Sequence, residues 1–157
     1  MAATVVTNIG ILVSGDIDHP VLQGDTLVIQ EGKITAIGDK RLADTMQGKK
    51  DVRTIDVGGM AVMPGFIDSH VHPVIGDFTP RQRMLDFISS SLHGGVTTMI
   101  SAGECHTPGR PKDPTGVKAL AILAHKSFEN AKPGGVKFHG GGLILEKGLT
   151  EADFAEV

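Results

Sequence analysis

The sequence has 157 residues, with 15 Lys+Arg against 18 Asp+Glu for a formal net charge of −3, and it is 40% hydrophobic and 21% charged. That ordinary globular usage argues against disorder, and the mild acidity offers no electrostatic footprint for nucleic acid or an anionic membrane surface. No apolar run approaches the ~20 residues of a membrane span, MAATVVTNIGILV lacks the features of a signal peptide, and the only cysteine, Cys105, excludes an internal disulfide, so a cytoplasmic setting is expected.

Residues 1–63 read as a β-rich, sandwich-like domain, and 64–157 as a second domain of different grammar. Val5–Val13 is apolar and β-branched, as in a strand. Thr26–Gln30 and Lys33–Ile37 flank the two-residue turn Glu31-Gly32, a hairpin pattern. The polar stretch Ala43–Asp51 reads as a short helical or looped excursion. Thr54–Val57 and Met60–Met63, separated by Gly58-Gly59, read as another hairpin. Five short strands without a strong helix predict a small β-sandwich or half-sandwich.

After Pro64-Gly65 the pattern alternates strand and helix. Phe66–His72 is a short strand. Thr79-Pro80-Arg81-Gln82 carries an N-cap, a proline at the first helical position and a glutamine three residues after the cap. Met84, Leu85, Ile88 and Leu92 follow at helical spacing, and His93-Gly94-Gly95 closes the helix. Val96–Ser101 is the next strand, 102–112 a loop. Asp113-Pro114 opens a second helix with the apolar stripe Val117, Leu120, Ala121, Ala124, Phe128 and Ala131. Lys132-Pro133-Gly134-Gly135 stops it before the strand Val136–His139. The order β-α-β-α-β predicts parallel strands joined by right-handed crossovers. Thr150-Glu151-Ala152-Asp153 resembles a capping box opening a helix that the chain does not continue past Val157, as expected of the N-terminal portion of a longer protein.

His70-Val71-His72 is the strongest chemical signal. Alternate strand residues share a face, which sets the two backbones roughly 6.6–6.8 Å apart and lets both imidazoles reach one ion. Imidazole suits Zn, Fe, Ni or Cu. The pair ends the first strand of a βα series, where barrel and doubly wound folds collect active groups.

VMPGFIDSHVHP, preceded by a β-rich segment containing LVIQEGKITAIG and followed by GGVTTMISAG, resembles the amidohydrolase superfamily of metal-dependent hydrolases across essentially all of the chain. The resemblance implies an α/β protein: a β-sandwich-like N-terminal segment, then the first three βα units of an incomplete (β/α)8 TIM barrel. It implies that His70 and His72 bind divalent metal, Zn or Fe, in a mono- or binuclear centre. It also implies hydrolysis of a C–N bond in a small cyclic amide by a homo-oligomeric enzyme. A bridging Glu or carboxylated Lys, two further histidines and a general-base Asp belong to later barrel strands, so the catalytic base is expected beyond Val157. On that reading the isolated 157-residue chain is inactive and prone to associate through uncovered strands. A deaminase or another cyclic amidase, of the dihydroorotase, hydantoinase or imidazolonepropionase type, is the alternative. A silent fragment acting only in assembly is the reading from another class.

Other residues have narrower expectations. Asp68, two residues before His70 on the same face of an ideal strand, is expected to orient a ligand histidine. His139, before Gly140-Gly141-Gly142, and His106 and Arg110, in the loop after the second strand, are candidate substrate contacts; Arg110 would grip a carboxylate with both arms. His93 reads as a helix C-terminal residue, His125 and His19 as structural or surface groups, and Cys105 as a loop thiol.

Overall fold

Alternation along the first strand sets up two packed faces. The first unit runs β1 (Ala3–Thr7), β2 (Ile11–Val13), β3 (Val21–Leu22), β4 (Thr26–Gln30), β5 (Lys33–Gly38), α1 (Lys40–Asp44), β6 (Val52–Asp56) and β7 (Ala61–Val62). Ala3 and Val5 of β1 are buried with Val28, Met46 and the flank of α1, while Val6 packs on the opposite side with Leu12, Leu22 and Leu27. One sheet has the order β5-β4-β1-β6 and the other β3-β2-β7. Ile9, Leu12 and Leu27 fill the space between these sheets with Val57 and Val62. The computed structural model describes residues 2–72, 84–103 and 109–157, which divide into the compact units Met1–Pro64 and Gly65–Val157.

The hairpin of β4 and β5 forms as expected, with Gln30 opposite Lys33 and both turn residues, Glu31 and Gly32, at positive φ (51° and 74°). Three expectations for this unit are corrected. Val5–Val13 is not one strand: Asn8, at φ 57°, breaks it, and its halves enter different sheets. The segments around Gly58-Gly59 do not form a hairpin. β6 runs parallel to β1 and β7 parallel to β2, so the chain crosses between sheets beside the β1–β2 connection. The two crossings are laced by Val57 N–H to Thr7 O (3.0 Å), Gly59 N–H to Asn8 O (2.7 Å) and Gly10 N–H to Met60 O (2.9 Å). These long-range bonds, invisible to local turn chemistry, override the hairpin pattern. The helical excursion begins earlier than Ala43, because the Asp39 carboxylate caps it by accepting the Arg41 N–H at 3.0 Å. With β3, which no expected strand covers, the described residues of this unit form seven short strands rather than five.

The second unit runs β8 (Phe66–Val71), α2 (Met84–His93), β9 (Val96–Ser101), α3 (Pro114–Asn130), β10 (Lys137–His139) and α4 (Glu151–Glu156). The three strands are parallel in the order β10-β9-β8, as the alternating pattern predicts. Asp113 caps α3 by accepting the Gly116 N–H at 2.9 Å, and Pro114 takes a position where its missing N–H is harmless. Val117, Ala121, Ala124 and Phe128 are the buried stripe of α3; Leu120 is half-buried, and Ala131 leaves the helix in an extended conformation. Phe128 stacks on Phe138 with centroids 4.0 Å apart, and around them lie Ile88, Met99, Val71 and Val136. Of the expected α2 stripe, Ile88 is fully buried and Leu92 half-buried, but Leu85 is 54% exposed, and Phe87 packs on the core instead. The N-cap pattern at Thr79–Gln82 lies outside the described residues.

The helices cover one face of this sheet. Met99 and Phe138 are paired in register on the covered side, whereas the paired Ile100 and His139 are exposed. Parallel sheets normally have both faces covered, so the bare side is a surface that expects neighbours.

Candidate metal centre

The end of β8 departs from ideal alternation. Asp68 is level with Met99 and Val71 with Ser101, so Ser69 and His70 together face the single Ile100. This bulge re-aims the strand end, a common device beside functional groups. It also removes the premise that Asp68 shares a face with His70 by strand parity. Asp68 meets His70 through its backbone: Oδ1 accepts the His70 N–H at 3.1 Å.

The structure brings His70 and His72 together. Both are exposed, their rings are edge to face with centroids 5.0 Å apart, and their Nε2 atoms are 3.2 Å apart. Two nitrogens that each bind one tetrahedral Zn²⁺ at ~2.0–2.1 Å lie about 3.3 Å from one another, so the donor pair fits a shared first-row ion. His72 Nδ1 faces the Gly103 carbonyl at 3.3 Å. A ring nitrogen bonded to a carbonyl while the other faces the ion is the usual arrangement of a metal-binding histidine. Among the described residues, no group of three or more His, Cys, Asp or Glu could hold a metal. The pair is half a ligand set.

The remaining candidates are distributed differently. His139 ends β10 on the bare side of the sheet. The glycines after it serve the protein's own packing: a Cβ on Gly140 would lie 2.5 Å from the Phe128 ring, and one on Gly142 2.8 Å from Gly103 N. Arg110 turns its guanidinium to Glu146, with side chains only 16% and 20% exposed. The carboxylate it grips is therefore one of this chain. His106 and Cys105 lie outside the described residues. His93 ends α2, His125 pairs with Glu129 one turn along α3 at 3.3 Å, and His19 pairs with Asp16 at 3.2 Å on an exposed turn.

Sequence reasoning passed over Ser101, Gly103 and Glu146. Ser-x-Gly directly after a strand is a turn signal that points to the first two, because a serine hydroxyl often bonds the backbone two residues on. Glu146 has no local signal; it lies 36 residues from Arg110. A charge cluster lies elsewhere, where Lys118 Nζ bonds Asp153 at 2.7 Å and Glu156 at 2.6 Å. The Lys118 ammonium, helped by the Thr150 N–H and hydroxyl, lowers the Asp153 carboxyl to about 2.

No family model matches the chain. It is 59% identical over all 157 residues to the enamidase of Eubacterium barkeri, and spans 40% of that protein's length. The crystal structure of enamidase, described as a member of the amidohydrolase superfamily, superposes with a TM-score of 0.88 over 99% of this chain and 40% of that one. Two relatives from Paenarthrobacter aurescens match in part. An imidazolonepropionase is 39% identical over 102 residues, 64% of this chain and 24% of the relative. An L-hydantoinase is 41% identical over 90 residues, 57% of this chain and 18% of the relative.

Proposed function

We propose, on the premise that this chain is a close homologue of enamidase and belongs with it to the amidohydrolase superfamily, that it supplies the first metal-holding half-site of an enzyme hydrolysing the C–N bond of a small cyclic amide. The observation that carries the reading is the convergence of the His70 and His72 Nε2 atoms to 3.2 Å at the carboxyl end of the first parallel strand. Imidazolonepropionase and L-hydantoinase among the relatives support the same bond class and keep another cyclic amide as the second reading.

On this proposal the sheet β8-β9-β10 is the start of a (β/α)8 barrel, and its bare face, with Ile100 and His139, is the barrel interior. The unit Met1–Pro64 is the accompanying sandwich-like domain. His70 and His72 hold a divalent ion, Zn or Fe, in a mono- or binuclear centre completed by groups other than this pair. The chemistry that an ion held by His70 and His72 would supply is polarisation of an amide carbonyl and acidification of water near neutral pH. The chain's own part is to bring the Nε2 atoms of two imidazoles to one point. His139 is the substrate-facing candidate on the bare face, and Arg110 would reach a substrate carboxylate only by exchanging Glu146 for it. A homo-oligomeric cytoplasmic enzyme completes the proposal; among the described residues no helix is long and apolar enough to cross a membrane.

The test is metal analysis and cyclic-amide turnover of the full-length protein containing this chain, with His70→Ala and His72→Ala beside the parent. Loss of both metal and turnover is expected. Stoichiometric metal and undiminished turnover in the double variant would overturn the assignment.

A further inference from the structure

His72 is held from behind by backbone. Its Nδ1 lies 3.3 Å from the Gly103 carbonyl oxygen, and since a carbonyl only accepts, Nδ1 carries the proton and donates. The lone pair of Nε2 is then the one turned to His70, and in the 3.2 Å Nε2–Nε2 contact the N–H belongs to His70. Gly103 itself has φ 135°, a conformation that a side chain would strain. Three contacts fix it there. The Gly103 N–H donates to the hydroxyl of buried Ser101 at 3.2 Å, and the Ala102 N–H donates to the Val71 carbonyl at 2.8 Å, tying the turn to both β9 and β8. On the remaining side the segment after β10 presses in: a Cβ on Gly103 would lie 2.8 Å from Ile144 Cγ1, and one on Gly142 2.8 Å from Gly103 N.

We propose that the turn Ser101–Gly103, backed by Gly142 and Ile144, is the positioning element that fixes which nitrogen of His72 faces the metal. Ser101 and Ile144 act through Gly103 and touch neither ion nor substrate. The inference rests on the metal-centre reading above and deepens it, because it makes the loop after the third strand responsible for a ligand at the end of the first. A bond from a ligand's far nitrogen to a fixed acceptor typically changes metal affinity by ~10–100-fold when lost.

Long-range ¹⁵N–¹H NMR of the imidazoles in the metal-free 157-residue chain, with Co²⁺ titration of the same samples, tests it. The parent is expected to show His72 protonated at Nδ1. Ser101→Ala and Ile144→Ala are each expected to convert that signal to a mixture of tautomers and to weaken Co²⁺ binding about tenfold. The His93 and His125 signals, on α2 and α3, should stay in place and report an intact fold. Either variant that keeps the parent His72 signal, or weakens Co²⁺ binding without changing that signal, overturns the proposal. Ile144 is half-buried and outside the main core, so Ile144→Ala decides alone if Ser101→Ala does not fold. A parent chain that ignores Co²⁺ defeats the metal reading, and the His72 signals still judge the positioning.

Discussion

The two units use the same kind of short strand to different ends. In Met1–Pro64 both faces of β1 are buried, one under α1 and one against the second sheet, and the carboxylates serve the local backbone. Asp39 caps α1 and Asp56 accepts the Gly58 N–H; neighbouring donors, Arg41 for Asp39 and Gly58 for Asp56, hold both carboxyls below the usual range. In Gly65–Val157 the described helices cover one face only, and three imidazoles lie where strands end: His70 and His72 at the end of β8, His139 at the end of β10. The difference teaches where chemistry can be accommodated. Strand ends of a one-sided parallel sheet present several loops to one region, where side chains from different elements converge.

The sharpest way to break this comparison is to remove the imidazoles. His70→Ala with His72→Ala should reduce Co²⁺ or Zn²⁺ affinity by more than the ~10–100-fold typical of losing an outer partner, with thermal melting of the metal-free chain unchanged. Equilibrium dialysis with metal analysis checks it.

Core truncations come next. Phe128→Ala removes the ring stacked on Phe138 and should destabilise the second unit by about 3–5 kcal/mol, read as lost amide protection in β9 and β10. Leu12→Ala, between the two sheets of the first unit, should cost about 2–5 kcal/mol and open β2 and β7 instead. Hydrogen exchange that collapses everywhere in both variants would contradict separate cores.

A smaller effect is expected at a helix start. Asp113→Ala leaves the Gly116 N–H without its acceptor and should lower stability by about 1 kcal/mol, whereas Asp113→Asn should recover most of it. Urea unfolding of the two variants distinguishes the cap from a general charge effect.

The smallest is the pH response of α4. The Asp153 carboxyl is lowered to about 2, so its contribution is fully present above the ordinary value near 3.8 and is lost as pH falls towards 2. Lys118 is raised by the same partners, so its contribution is present below its ordinary 10.5 and fades as pH rises through the elevated value. Amide shifts of Glu151–Glu156 should therefore move between pH 4 and 2 and again at strongly alkaline pH, and Lys118→Met should abolish the alkaline movement and displace the acidic one to higher pH.

Much of the second unit was legible in the residues. The cap at Asp113, the stripe from Val117 to Phe128, the glycine pair after His93 and the order β-α-β-α-β are local patterns that formed, although Ala131 falls outside its helix and Phe87 takes the core place expected of Leu85. The His-x-His pair was legible for the same reason: two residues apart on a strand end is a local relation. The first unit was less so, since Gly58-Gly59 carries a turn pattern that says nothing of which sheet receives the next strand.

By itself the sequence determined the elements whose cause lies within a few residues: caps, stripes, tight turns and the proximity of His70 to His72. Tertiary structure alone decided the parallel pairing of β6 with β1 and β7 with β2, the bulge near the end of β8, the Arg110–Glu146 pair and the Gly103 carbonyl behind His72. The physical reason is range. Caps and stripes are settled by backbone geometry over one or two turns, whereas these contacts join residues 31 to 50 apart, or a register set by the whole strand pair, and exist only once packing has brought the segments together.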